Sequence, residues 1–535
     1  MKENKILSNK GYLYMTEFFA GMSVMAVELG ASRLLAPYFS SSQIVWTIII
    51  GTIMIAMALG NIYGGRYADK NPNPDKLYGR ILFAAVWIAL IPVVGKYVIL
   101  AITALLVFTV NSNFLVWAGF MACMLLFVFP LFLLGTVTPS LVKYTVDSLT
   151  DSGKTVGMLN ASNTIGSILG TFLPTFVTIP SVGTSVTFLI FAGILLLLSI
   201  IYFVGVGKGS KRMAAGVFIF LLCCVTGYSE SFAFWEKDLT YEGESVYNYL
   251  QVREDDNSVI LSTNVLFGVQ SVMRKDNSLT GMYYDYALAA PFMANVTKKE
   301  QPKILILGNG TGTFAAQCKR YFDRVQVEGV EIDEKITGLA RQYFKLPEDV
   351  DVITCDGRAY LNVADQKYDV IMVDAYQDIT IPFQMSSSEF FVLVKEHLTD
   401  DGVMVVNMNM RGQEEGNINQ YLADTISTVF GEVYTADVPG TTNRELYASN
   451  SGKMLSDFTV NSSQIPDPKL SDMMQQVAMA MKIYEAGDYL MTDDKAPVEL
   501  LGMKAIDDLI FGEIEYYKQI VEKGGISSLL DALEQ

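Results

Sequence analysis

The chain of 535 residues has a single histidine, His397. It falls late in a helical pattern, Glu389–Leu398, where it reads as a C-terminal helix residue favoured by the helix dipole and not as a base. That leaves no Ser/His/Asp set and no histidine metal site. Cysteine is also scarce. Cys123, Cys223 and Cys224 lie in apolar runs, and Cys318 and Cys355 stand alone, so neither a zinc site nor a disulfide framework is expected. No metal is expected. Positive charge is short as well, with 39 Lys and Arg against 56 Asp and Glu. The deficit is uneven: residues 1–230 carry a net +6 and the remainder a net −23. A domain at −23 repels nucleic acid and attracts cations, so nucleic acid is not expected as a partner, and polyamines are one class among the cations it would attract. Any catalysis must rest on carboxylates and on positioning.

The first 230 residues are rich in long apolar runs. Stretches long enough to cross a bilayer, about 17–25 residues, occur at about 15–36, 44–65, 79–105, 114–138, 157–179, 184–206 and 213–229. This predicts a multi-pass α-helical domain of about seven helices in the cell membrane, with the lipid bilayer as its partner. The third run carries Lys96, which could divide it into two short passes. Lys2, Lys5 and Lys10, the loop bearing Arg66, Lys70, Lys76 and Arg80, and the loop bearing Lys208, Lys211 and Arg212 all favour a cytoplasmic N-terminus. Seven spans would then leave the acidic half outside, whereas an adenosyl ligand requires it inside. These two constraints oppose one another. Within the first run, Glu17 and Glu28 lie eleven residues apart and share a helix face. Glu28 has Arg33 as a nearby partner. Ionisable groups at this depth face a bundle interior or a polar path, and Asn160 and Asn163 can hydrogen-bond between helices. Gly166 and Gly170 form a small-xxx-small packing pair.

The acidic half opens with a small β cap over 231–300, with strand-like stretches at Ser245–Glu254 and Val259–Met273 and a helix at Gly281–Val296. From Lys303 the pattern alternates, with strands near 304–308, 326–332, 351–355, 369–374 and 402–408 and helices near 312–321, 334–344, 386–398 and 416–430. Such alternation predicts a parallel sheet with helices on both faces, an α/β Rossmann-type domain over 301–535. Ligands of such sheets lie outside the carboxyl ends of the strands. There the sequence places Gly308, Gly310 and Gly312 of a G-x-G-x-G turn, then Glu331, Asp333, Asp356, Gly357 and Asp374. Glycines let a backbone approach a ligand, and an acidic residue at the tip of the next strand can bind ribose hydroxyls. This turn lacks the G-x-G-x-x-G spacing of dinucleotide sites and points to an adenosyl ligand without a pyrophosphate. Asp356 could accept from an adenine amino group, or cap the helix that follows it. Asp374, with Tyr376 and Asp378, could hold a substrate cation or act as a base.

Several stretches together resemble one family. They are MAVELGASRLLAPYF (25–39), ALGNIYGGRYAD (58–69), ILILGNGTGT (304–313), GVEID (329–333), CDGRAYL (355–361), YDVIMVDAY (368–376), IPFQMSSSEFF (381–391) and TDDKAPVELL (492–501). The chain resembles the membrane-fused branch of the spermidine synthase (polyamine aminopropyltransferase) family. The resemblance implies a methyltransferase-like α/β fold behind a β cap. It further implies transfer of an aminopropyl group from decarboxylated S-adenosylmethionine to putrescine or another amine. Glu331 would bind ribose hydroxyls, Asp356 and Gly357 would contact adenine, Gln270 would line the donor site, and Asp374 would deprotonate the attacking amine. The adenosyl-sulfonium donor is then a co-substrate, and no tightly bound cofactor is expected. The sequence departs from the family at Thr311, where a GGGDG turn would place the aspartate that holds the donor's amine. Losing that aspartate removes a charge-assisted contact of roughly 1.5–3 kcal/mol. The catalytic loop, Asp374-Ala-Tyr-Gln-Asp378-Ile, is one residue longer and lacks its proline. Tyr247-Asn248 stands for Tyr-Gln, and Tyr284-Asp285 for Tyr-His. Two alternatives remain open at this point: an S-adenosylmethionine-dependent methyltransferase, and a transporter or sensor whose soluble domain binds a nucleoside or polyamine without turnover. A homo-oligomer is compatible with all three.

Overall fold

A computed structural model describes residues 9–39, 42–107, 110, 113–145, 152–228, 231–236, 238–265, 269–375, 381–409, 411–412 and 414–512. Two compact units are present. The first comprises residues 1–236, 242–249 and 264–266, and the second comprises 237–241, 250–263 and 267–535.

The first unit is helical. Five helical segments are long and apolar enough to cross a membrane by length and composition: Lys10–Phe39, Gln43–Lys70, Pro74–Leu106, Phe114–Thr145 and Ser152–Val206. The last has 55 residues, which at about 1.5 Å per residue is far longer than one pass needs. It breaks at Gly183, whose φ of 81° and ψ of 171° are not helical. The separate runs read at 157–179 and 184–206 correspond to its two halves. The seventh expected run is a helix of 17 residues, Ser210–Thr226. The third run is not divided: Pro74–Val107 is a single helix, and the Lys96 ammonium reaches out to the carbonyl of Ser231 at 2.7 Å.

The first and fifth segments approach with almost no side-chain layer between them. A Cβ built on Gly166 would fall 1.9 Å from the Phe18 carbonyl oxygen, and one on Gly170 would fall 2.1 Å from that of Met22. Small residues permit this backbone approach. Glu17, fully buried, ties the first segment to the fourth and the fifth: its Oε1 accepts from Thr138 Oγ1 at 2.5 Å and from Asn163 Nδ2 at 2.8 Å. Arg33 donates to the carbonyls of Ser245 and Val246.

Two sheets follow the helical segments in the chain. The smaller is built from β1 (Leu239–Glu244), β2 (Tyr249–Glu254), β3 (Ser258–Ser262) and β4 (Ser271–Arg274) in that spatial order. The cap helix expected over 281–296 is two short helices, Tyr283–Ala287 and Ala289–Met293. Pro291 lacks the N–H that a continuous helix would direct at the carbonyl of Ala287.

The larger sheet contains β5 (Lys303–Leu307), β6 (Gln326–Glu331), β7 (Asp351–Thr354), β8 (Tyr368–Val373), β9 (Leu398–Met408), β10 (Glu432–Asp437), β11 (Arg444–Ser449) and β12 (Met481–Ile483). Their spatial order is β12-β10-β11-β9-β8-β5-β6-β7. The run from β7 to β9 is parallel, as the alternating pattern predicts. The sheet as a whole is mixed, which corrects the all-parallel expectation. β11 inserts antiparallel between β9 and β10, and β12 pairs antiparallel with β10. The chain leaves β5 for β6 and β7 on one side and returns to β8 on the other. That reversal opens a crevice at the carboxyl ends of β5 and β8.

Gly166→Val should lower stability by roughly 1–3 kcal/mol through overpacking. Gly157→Ala, whose added carbon meets nothing within 4 Å, is the control. Thermal unfolding of the full chain in detergent reads the difference, and equal midpoints for the two variants would contradict the close helix crossing.

Candidate active site

The carboxyl ends of the strands carry one continuous row of residues. Leu307 pairs with Val330 on β6 and with Val373 on β8, and Val373 pairs with Val406 on β9. The next residues along these strands are therefore neighbours: Glu331, Gly308, Asp374 and Asn407. Asn407 in turn pairs with Glu445 of β11. Residues in one cross-strand row leave the sheet on the same face. It is the face of Ile306, Met372, Val405 and Tyr447, which packs against Tyr283 and Tyr286.

Gly308 occupies the middle of the row. Its φ is 87°, and a Cβ there would lie 2.5 Å from the Asp374 carbonyl oxygen. Only glycine tolerates both the dihedral and the approach. Gly310 and Gly312 also have positive φ, 53° and 76°, so the turn presents backbone to its surroundings. The N–H of Gly310 donates to Glu331 Oε2 at 2.8 Å, and the N–H of Asp333 to Oε1 at 3.1 Å. Glu331 thereby faces the turn, while Asp333 caps the helix Glu334–Tyr343 through the N–H of Lys335. Burial pushes the Glu331 carboxyl up from its ordinary value against these bonds. A turn of three positive-φ glycines bridged to a carboxylate at the next strand tip fits the sugar end of an adenosyl ligand.

Asp374 keeps part of its surface open at the strand tip, yet protein surrounds it densely. Its Oδ2 accepts from Tyr283 Oη at 2.6 Å and its Oδ1 from Asn407 Nδ2 at 2.9 Å. Desolvation raises its pKa to about 7, assisted by the negative Glu331 and opposed by the two hydrogen bonds. A carboxyl group poised there exchanges protons readily near neutrality.

The remaining expected residues divide. Gln270 directly precedes β4, and Ser271 Oγ lies 3.5 Å from the position of a Cβ on Gly310, so this edge of the cap borders the turn. Asp356 caps the helix Gly357–Leu361, its Oδ1 accepting from the N–H of Ala359 at 2.8 Å. Gly357 allows that helix to pack against Leu307 and Met385. Thr311 is buried, its hydroxyl 3.2 Å from that of Thr313, which donates to the carbonyl of Val272. Asp285 is fully buried and bonded by Gly281 N–H, Gln317 Nε2 and Thr280 Oγ1, a structural tie. His397 has its two ring nitrogens against the carbonyls of Leu393 and Ala364, outside the row. Tyr376 and Asp378 lie outside the described residues.

Sequence reasoning missed Tyr283, Asn407, Asn443 and Glu445. Asn443 Nδ2 donates to Asn407 Oδ1 at 2.8 Å and extends the chain of bonds that begins at Tyr283. One signal was present: Asn407 is a polar residue near the end of an apolar strand run. Glu445 gave no signal, because its strand was not recognised.

Residues 288–498 match the profile of the Spermine/spermidine synthase domain. A probable polyamine aminopropyl transferase of Bifidobacterium longum is 50% identical over 352 residues, covering 63% of this chain and 78% of that protein. The polyamine aminopropyltransferase of Vibrio vulnificus is 27% identical over 231 residues, covering 42% of this chain and 75% of its own. A crystal structure of a probable spermidine synthase from Corynebacterium glutamicum is 19% identical, covering 47% of this chain and 97% of its own, at a TM-score of 0.36.

The raised carboxyl of Asp374 makes a stability prediction. Its folded form holds the proton above the ordinary aspartate value, so its stabilising contribution is complete at low pH and fades as pH climbs to about 7. The unfolding midpoint of Asp374→Asn relative to the parent should therefore rise between pH 5 and pH 7 and then stay level. A difference independent of pH would show that Asp374 titrates normally.

Proposed function

The chain belongs to the polyamine aminopropyltransferase family, and from that premise we propose that it moves an aminopropyl group from decarboxylated S-adenosylmethionine to an amine, with Asp374 as the base. The observation that carries this reading is Asp374 itself, a carboxyl raised to about 7, adjoining the glycine turn and held by Tyr283 and Asn407.

The donor's ribose would sit on Glu331 beside the turn of Gly308, Gly310 and Gly312, its adenine near Asp356 and Gly357, and its aminopropyl arm toward Gln270. The acceptor enters as an ammonium ion. Asp374 takes one proton from it, and the freed lone pair forms a bond to the aminopropyl carbon attached to sulfur. The carbon–sulfur bond breaks toward sulfur, which becomes the neutral thioether of methylthioadenosine. The new secondary amine keeps the positive charge, and Asp374 returns its proton to solvent. Donor and acceptor are both cations, so Glu331 and Asp374 counter charges present before and during transfer. Holding nitrogen, carbon and sulfur in line supplies much of the rate.

Residues 1–230 would hold the enzyme in a lipid bilayer, 231–300 would form the cap, and 301–535 would carry the transferase site. A second reading, methyl transfer from S-adenosylmethionine, draws on one observation: Thr311 offers a hydroxyl where a carboxylate would bind the decarboxylated donor's amine. A hydroxyl there does not repel the carboxylate that distinguishes S-adenosylmethionine.

Calorimetry of the full chain in detergent with each donor, followed by product identification, separates the two. The expected product is methylthioadenosine from the decarboxylated donor; S-adenosylhomocysteine would favour methyl transfer, and no binding of either donor would overturn both. Asp374→Asn should cut turnover by about 10²–10⁴-fold while donor affinity changes by only a few fold. Unchanged turnover would remove Asp374 as the base.

A further inference from the structure

Glu17 has no part in the transfer chemistry. It lies on the first helical segment and is 0% exposed. Its Oε1 is occupied by the hydroxyl of Thr138 and the amide of Asn163. Its Oε2 is buried and has no hydrogen-bond partner among the described residues. No basic side chain acts on the carboxylate either: burial and those two hydrogen bonds are the influences upon it. A buried carboxylate with one oxygen unpartnered and no opposite charge beside it is among the costliest groups in a protein interior, more so at membrane depth.

The two donors matter for what they leave over. Thr138 gives its hydroxyl hydrogen to Glu17 and Asn163 gives an amide hydrogen, while the oxygens Thr138 Oγ1 and Asn163 Oδ1 accept no hydrogen bond among the described residues. Both residues are half-buried, so the surroundings of Glu17 can be reached although Glu17 itself is enclosed. One carboxylate, one hydroxyl and one amide oxygen, from the first, fourth and fifth segments, form a hard oxygen set of the kind that suits a small hard cation. A single negative charge balances a monovalent one. A proton would remove the charge but leave an O–H at Oε2 with no acceptor.

The helix crossing limits the size of the occupant. Gly21 lies one turn beyond Glu17, and a Cβ there would fall 2.6 Å from the Asn163 carbonyl oxygen and 3.1 Å from its side-chain amide nitrogen. Gly166, one turn beyond Asn163, sits against the Phe18 carbonyl. Backbones held this close leave space for a bare ion and none for an alkylammonium group between them.

We propose that the helical unit binds one sodium-sized cation between the first, fourth and fifth segments, with Glu17 Oε2, Thr138 Oγ1 and Asn163 Oδ1 as its protein ligands. Each segment contributes one ligand, so occupancy of the site and packing of the bundle are linked. The helical unit is then ion-responsive and not an anchor alone, whichever group the soluble domain transfers.

The test follows thermal unfolding of the full chain in detergent at fixed pH and ionic strength, with choline chloride replaced stepwise by sodium chloride or potassium chloride. The parent's midpoint should rise saturably with sodium and less with potassium, above the choline baseline. Glu17→Gln keeps an oxygen for Thr138 and Asn163 to donate to and removes the charge, so its midpoint should not respond to sodium. Thr138→Ser should keep the response, and Thr138→Val should need about tenfold more sodium for it. If Glu17→Gln does not fold, the Thr138 pair carries the comparison, and binding of radioactive sodium to the parent should saturate at one ion per chain. Equal midpoints in all three salts, a sodium response that survives in Glu17→Gln, or a midpoint that follows pH and no metal ion, as when a proton alone neutralises Glu17, would overturn the proposal.

Discussion

Gly308 lets the tip of β5 close against the tip of β8. No side chain fits between its Cα and the Asp374 carbonyl, and its left-handed dihedral turns the chain into the glycine loop. With that space empty, Glu331 and Asp374 face each other across a bare stretch of backbone. Any residue with a Cβ would push the strands apart or fill the gap between the two carboxylates. The row then continues through Asn407 to Glu445. One structural constraint thus sets the spacing of the two acidic groups that flank Gly308.

The electrostatics follow from that spacing. Glu331 and Asp374 both have raised carboxyls, chiefly from burial, and Asp374 is raised further by Glu331. Tyr283 and Asn407 each donate to Asp374 and work in the opposite direction. The balance leaves Asp374 near neutrality, where a carboxyl group can both accept and release a proton. A cationic donor and a cationic acceptor would each favour the ionised forms. Substrate arrival would thereby prepare the base.

Much of the parallel half of the sheet was legible from residues 303–408. Short apolar runs ending in glycine or acid, spaced by helix-length segments, are a local signal, and β5 to β9 appear within a few residues of their expected positions. Glu331 and Asp374 were legible for the same reason. Asp333 and Asp356 shared their pattern but serve as helix caps, because an acid after a strand is equally suited to a helix start. The antiparallel strands β10 to β12 lacked the strand–helix alternation that guided the reading. Glu445 and Asn443 went unseen with them. Tyr283 was hidden because its hydrogen bond to Asp374 spans 91 residues, a distance over which sequence pattern says nothing. In the helical unit, hydropathy gave the runs, and Gly183 accounts for two of them forming one bent segment. The partners of Glu17 lie 121 and 146 residues away and likewise needed the fold.

The central claim is that Asp374, and not solvent, removes the proton from the acceptor. The pH dependence of kcat/KM for aminopropyl transfer by the full chain tests it most directly, because it reports ionisations of the free enzyme and free substrate. If Asp374 deprotonates an ammonium acceptor, the profile rises about tenfold per pH unit up to about pH 7, the value expected for Asp374, and is level from there toward pH 8.5. A profile that climbs through pH 7 without a break, toward the ordinary amine range near 10, would mean that the acceptor arrives already deprotonated and would contradict the account.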